Sequence, residues 1–185
     1  VTDVMDSSNF IVFEVDNSIC DNVYPQHADF TFYGGLYRDV NLVCVPESHF
    51  ELEYYGTPGI KVTPTVDGDH ASVEVEVWTK NAEGKVLTYI LTDAEGNIVA
   101  ESSTTDTKAS FVIENVHKWH ARKDPYLYTA TVKLEELDTV SARFGCRSYI
   151  IDPDRGFILN GEEYPLRGVA RHQDRLGIGN ALLPE

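Results

Sequence analysis

Alternation with a period of two residues is the feature that most limits what this chain can fold into. In Ala71-Ser-Val-Glu-Val-Glu-Val-Trp78, Val73, Val75 and Val77 fall on one side and Glu74 and Glu76 on the other. That is the pattern of a strand with one face in a core and the other in water. Tyr126, Tyr128, Ala130, Val132 and Leu134 make a second apolar stripe, opposed by Thr129, Thr131 and Lys133. Phe111 and Ile113 mark a shorter strand, and Phe144, Cys146, Ser148 and Ile150 a long one. No window carries a helical period, so the chain reads as all-β.

Turn chemistry sets the divisions. Asp93-Ala-Glu-Gly-Asn97 reads as a hairpin loop, with Gly96 available for a positive φ. Asn81-Ala-Glu-Gly84 and Val66-Asp-Gly-Asp69 read the same way. Between positions 57 and 151 roughly seven strands fit, which suits an immunoglobulin-like β-sandwich of about 100 residues. The flanks are different. Strands are expected at Phe10–Asp16, around Phe30–Tyr33 and at Leu36–Val45, too few to bury a sheet face alone. Beyond Asp152-Pro-Asp-Arg-Gly156 comes a hairpin turning at Asn160-Gly161, a strong two-residue turn signal. The chain opens Val1-Thr-Asp3 without a methionine, and both ends read as cut from something longer.

Charge narrows the partners. The 185 residues include 30 acidic and 15 basic side chains, a formal net charge of −15, so nucleic acid and anionic membrane surfaces would be repelled. No apolar run approaches the roughly 18 residues of a membrane helix, and the first residues lack the pattern of a secretory signal. Cys20, Cys44 and Cys146 are an odd, widely spaced set. They read as buried or idle thiols in a reducing, cytoplasmic compartment.

Spacing alone yields no catalytic centre. His117-x-x-His120 lacks further ligands and precedes Pro125, so it is expected in a loop rather than at a metal. Asp67-Gly-Asp69 and Asp152-Pro-Asp154 read as turns. No Gly-x-Ser-x-Gly elbow or glycine-rich phosphate loop is present. Two segments are denser in unusual residues. Tyr24 to Val40 sets aromatics and a Gly-Gly pair around one carboxylate, and sugar sites combine aromatic faces with carboxylates that accept from hydroxyls. Arg167-Gly-Val-Ala-Arg-His-Gln-Asp174 is a charged string leaving a strand, where barrel enzymes place their sites. Arg38-Asp39 reads as a structural pair, and Trp119 as core or seam packing.

These segments resemble glycoside hydrolase family 2, in particular its bacterial β-galactosidases. Gly35-Leu-Tyr-Arg-Asp-Val40 is similar to the element that closes the family's sugar-binding jelly roll. Asp124-Pro-Tyr-Leu-Tyr128 and Phe144-Gly-Cys-Arg147 resemble markers of its immunoglobulin-like domain. Phe157-Ile-Leu-Asn-Gly161 followed by Leu166-Arg-Gly-Val-Ala-Arg-His172 resembles the entry to its catalytic barrel. The resemblance implies three parts: 1–47 as the end of a jelly roll, 48–151 as the sandwich, and 152–185 as the start of a truncated (β/α)8 barrel.

The resemblance also assigns roles. Asp29, six positions before Gly35, and His172 would contact the substrate sugar, and Asp29 would help hold a sodium ion in the full enzyme. The family's catalytic glutamates and magnesium ligands lie on later barrel strands, so this chain is expected to hold no cofactor and no hydrolytic activity of its own. It would be a non-catalytic fragment of a retaining β-galactosidase, cleaving terminal β-galactosides through two carboxylates. Ala170 and Gln173 depart from the family's usual Asn and acidic residue, which leaves β-glucuronidase and β-mannosidase as alternatives, along with a stand-alone carbohydrate-binding sandwich. Exposed strands in 1–47 are expected to pack on the sandwich or pair with a second copy as a homodimer.

Overall fold

The computed structural model describes residues 6–21 and 31–183. Strands β1 (His49–Phe50), β2 (Ile60–Asp67), β3 (His70–Val77), β4 (Thr79–Lys80), β5 (Leu87–Thr92) and β6 (Ile98–Thr104) come first. They are followed by β7 (Lys108–Glu114), β8 (Tyr128–Leu134), β9 (Asp138–Phe144), β10 (Tyr149–Asp152), β11 (Gly156–Leu159) and β12 (Glu162–Glu163). No helix occurs among the described residues. The chain divides into two units, one of Cys44–Arg167 and one made of Val1–Val43 with Gly168–Glu185. All twelve strands lie in the first.

Seven strands of six to eight residues form the two faces of the sandwich, in antiparallel sheets ordered β2-β3-β7 and β6-β5-β8-β9. The alternation in β3 is obeyed: Ala71, Val73, Val75 and Val77 are buried while Glu74 and Glu76 lie toward solvent. In the other sheet Leu87, Tyr89 and Leu91 of β5 and Tyr128, Ala130, Val132 and Leu134 of β8 are buried. Both stripes belong to one apolar cluster. Each fully buried Val or Leu contributes about 1.5–3 kcal/mol, so this layer holds the unit together.

The loops follow local chemistry. Gly68 (φ 57°) makes the tight β2–β3 turn. Asp93 accepts from the backbone N–H groups of Glu95 and Asn97 and from the Asn97 side chain. These hydrogen bonds, led by that of the Asn97 side chain, hold its carboxyl below the usual carboxylate range. Asn160 and Gly161, at φ 50° and 86°, turn β11 into β12 as a two-residue turn of that composition should.

Three expectations fail. Asn81–Gly84 is not a hairpin: β4 pairs with β1, and the chain passes from β3 in one sheet to β5 in the other. The turn residues were read correctly, but a turn signal does not say which sheet the next strand joins. The long strand from Phe144 to Ile150 is broken. Strand β9 ends at Phe144 and β10 begins at Tyr149, because a second segment crosses there. Trp119 donates its N–H to Cys146 O at 2.8 Å, and a Cβ on Gly145 would stand 2.8 Å from Trp119 Cβ.

The third failure concerns the flank. Residues 10–16 and 36–45, expected as strands, have none. Phe10, Ile11, Val12 and Leu36 are exposed. With no sheet partner among the described residues to supply ladder hydrogen bonds, an apolar segment has nothing to form a strand against. The weaker strand around 30–33 lies partly outside the described residues, and 31–33 form none.

Tyr89 gives a test of the core. Its side chain is fully buried and donates its hydroxyl to Asp106 O at 2.9 Å. Burial first, then the negative charge of Asp106, pushes its pKa up to about 12. The folded value lies above the unfolded one of about 10, so the stability tied to the neutral phenol is full below pH 10 and is lost as pH rises towards 12. The loss amounts to about 2–3 kcal/mol. Urea unfolding at pH 9 and pH 11.5 should show the drop in the wild type and a smaller one in Tyr89→Phe.

Candidate functional site

The unit formed by 1–43 and 168–185 has no sheet among its described residues, and its shape rests on a few named contacts. Residues 175–181 fold into a tight turn. The Arg175 N–H donates to Gly179 O at 3.1 Å and the Gly179 N–H returns to Arg175 O at 2.9 Å. Gly177 and Gly179, at φ 91° and 55°, supply conformations that other residues adopt at a cost. The Tyr33 ring lies against Gly179 so closely that a Cβ there would be 2.9 Å from it. Asn17 Nδ2 donates to Phe32 O at 3.3 Å, and Arg38 Nη1 donates to Asn180 O at 2.6 Å and to Tyr37 O at 2.8 Å.

These contacts frame an open cavity of about 670 Å³ lined by, among others, Tyr33, Tyr37, Arg38, Arg171, His172 and Asp174. A volume of that order accommodates a small-molecule ligand. Among the described lining residues two guanidinium groups stand against one carboxylate, in a chain whose net charge is −15. Tyrosine rings offer faces to sugar C–H groups, while guanidinium, imidazole and carboxamide groups offer hydrogen bonds. Asp174 is the one carboxylate among the described lining residues, whereas glycoside hydrolysis uses two. The described lining is therefore suited to gripping a polar ligand rather than cleaving it.

Of the residues singled out by sequence, His172 lines this cavity. Asp29 lies outside the described residues. Arg38 lines the cavity too, and its hydrogen bonds go to the carbonyls of Tyr37 and Asn180 rather than to Asp39. Tyr33 belongs to the aromatic segment Tyr24 to Val40 that the sequence singles out, whereas the 175–181 turn escaped the sequence reading. The signal was there in Gly177-Ile-Gly179, but glycines one apart announce a turn without saying what packs on it.

The other candidates are structural. His117 Nε2 meets Asp124 Oδ2 at 2.6 Å, and its ring stacks on Tyr126 at 3.8 Å. His120 Nε2 lies 3.4 Å from Glu162 Oε2, which also receives Lys123 Nζ at 2.8 Å. Lys123, with His120 behind it, lowers the Glu162 pKa. Trp119 carries the Arg147 guanidinium 4.8 Å above its ring. No cluster of three or more His, Cys, Asp or Glu able to hold a metal occurs among the described residues. Cys146 is buried, which pushes its thiol pKa up to about 11. Cys20 and Cys44 are free and exposed, so of the three thiols expected to be buried or idle Cys146 is the buried one.

The three- and four-stranded sheets, with their crossing connections, define an immunoglobulin-like β-sandwich. The family model described as Glycosyl hydrolases family 2 matches residues 58–147, which span its seven principal strands. The chain carries a domain of glycosyl hydrolase family 2. A β-glucuronidase of Bacteroides fragilis is 34% identical across 96% of this chain, and a β-galactosidase of Thermoanaerobacter pseudethanolicus is 30% identical across 94%. Among solved structures, the FMN-binding β-glucuronidase of Facaelibacterium prausnitzii L2-6 superposes with a TM-score of 0.84 and 43% identity, over 90% of this chain. The chain spans about a quarter of each: 28%, 24% and 27% of their lengths.

Gly179→Val tests the packing of the site. A β-branched residue at φ 55° is strained, and its Cβ would meet the Tyr33 ring. Opening of the turn should raise trypsin cleavage after Arg175 by about tenfold, since roughly 1.4 kcal/mol corresponds to a factor of ten. The melting temperature of the sandwich should stay unchanged.

Proposed function

We propose that the chain is the sandwich and substrate-side portion of a family 2 β-glycosidase acting on β-glucuronides. The observation that carries this reading is the Arg171 guanidinium beside His172 in the cavity lining, with Arg38 adding its positive charge. A uronate sugar brings a carboxylate that guanidinium groups hold well, often in bidentate fashion, whereas a neutral hexose gains less from them. The names of the Bacteroides fragilis relative and the Facaelibacterium prausnitzii structure point the same way. His172 would contact the sugar, as would Asp29 from outside the described residues. The sandwich would set the position of neighbouring parts and perform no chemistry. The two carboxylates of a retaining mechanism would come from sequence beyond these 185 residues.

β-Galactoside hydrolysis is the second reading. It is favoured by the Thermoanaerobacter pseudethanolicus relative, which matches nearly the whole chain. The two differ at one substituent, the carboxylate or hydroxymethyl at sugar C5. The longer polypeptide containing this chain should hydrolyse 4-nitrophenyl β-D-glucuronide with kcat/KM at least about tenfold above that for the β-D-galactoside. The 185-residue chain alone should hydrolyse neither. A reversed preference would replace the first reading by the second, and inactivity of the longer polypeptide on both would remove the glycosidase reading.

A further inference from the structure

We propose that Arg38 is a positioning residue that fixes the wall of the cavity on which His172 lies. This rests on the glycosidase reading given above. One nitrogen, Nη1, serves two backbone carbonyls, Tyr37 O at 2.8 Å and Asn180 O at 2.6 Å, the latter 142 positions away in sequence. Its two hydrogens match two acceptors. The guanidinium carbon also lies 4.9 Å from the centre of the Tyr37 ring, which holds the group from a further direction.

This arrangement matters because of what the unit lacks. Among its described residues no strand ladder joins residues 31–43 to residues 168–183. The isolated Arg175–Gly179 bridge is internal to the turn. The contacts that join the segments include the Tyr33 ring on Gly179 and Arg38 on Asn180. Tyr33, Arg38 and Asn180 line the cavity together with His172. The first contact is apolar and has no preferred distance along the ring face. The second is directional and charge-assisted, so it fixes where the turn sits. A binding wall held in advance lowers the ordering cost when a ligand arrives. A displacement of about 1 Å in such a wall can cost up to about a hundredfold.

The geometry gives Arg38 a task other than gripping the sugar. The Nη1 hydrogens are committed to backbone carbonyls, so loss of the residue moves the turn first and ligand affinity second. Lysine at this position retains the charge and has enough N–H donors for both carbonyls, but it lacks the planar, fixed donor directions of the guanidinium.

The test uses the longer polypeptide with Arg38→Met and Arg38→Lys, read by steady-state kinetics on 4-nitrophenyl β-D-glucuronide and by amide hydrogen exchange. Arg38→Met should raise KM about tenfold with kcat changed by less than about threefold. It should also speed exchange of the amides of 178–181 while leaving β3, β5 and β8 protected. Arg38→Lys should recover part of both effects. A KM rise with unchanged exchange in 178–181 would overturn the proposal and make Arg38 a direct ligand contact. Faster exchange with unchanged KM would overturn it as well, and so would loss of protection across the sandwich in both variants. If the wild-type polypeptide cleaves neither glycoside, the glycosidase reading fails and the positioning role falls with it; the exchange data would then show separately whether the Arg38 clamp exists.

Discussion

The apolar layer between the two sheets is the constraint on which everything else in the Cys44–Arg167 unit depends. Val73, Val75 and Val77 on β3 face the same core as Leu87, Tyr89 and Leu91 on β5 and Ala130, Val132 and Leu134 on β8. Because side chains alternate strictly, a one-residue slip of β3 would turn Glu74 and Glu76 inward in place of the valines. Burying either carboxylate without a partner would cost more than any turn could restore. The register is therefore fixed by the core, and the turns adjust to it. The passage of the chain from β3 to β5 across the sandwich follows from the same demand: each sheet needs the other to cover its apolar face.

A second set of contacts extends the sandwich to the small β10–β11–β12 sheet. The loop between β7 and β8 donates the His117 N–H to the Tyr128 hydroxyl at 2.9 Å and receives Asn160 Nδ2 on Trp119 O at 2.9 Å. Asn160 also accepts from the Ser148 N–H. One carboxamide thus satisfies two separate stretches of backbone while its own residue makes the hairpin turn. Gly145 lets the Trp119 side chain approach the backbone where β9 ends. The Lys123 and His120 contacts to Glu162 are exposed or partly so, and pairs of this kind add little. The hairpin is held by the amide network.

How much of this was legible in the sequence depended on whether local or distant partners decide the outcome. Strand β3 and the buried stripe of β8 could be read from the sequence because alternation is a local property with one favourable answer. Gly68, Gly96 and the Asn160-Gly161 turn could be read for the same reason, since a positive φ is a demand made by the residue itself. The break after Phe144 could not, because it is imposed by Trp119 from another part of the chain. The apolar composition of residues 10–16 misled, since a strand needs a neighbour and none is present among the described residues. At the site, the string ending in His172 stood out by composition. The role of Arg38 did not, because its acceptor Asn180 is a backbone carbonyl, and no residue type announces that.

The cavity joins these lines: a recess with two arginines in an acidic chain, framed by a glycine turn and two tyrosines, in a chain whose sandwich belongs to a glycoside hydrolase family. The proposed role of the chain is to hold a uronate sugar for carboxylates supplied from elsewhere in the polypeptide. The most direct test is a crystal structure of the longer polypeptide with a non-hydrolysable β-glucuronide. The sugar is expected in the cavity, within hydrogen-bond distance of His172 and with its carboxylate on the guanidinium side. Electron density for the sugar at a site that touches neither His172 nor the arginine-lined wall would contradict this.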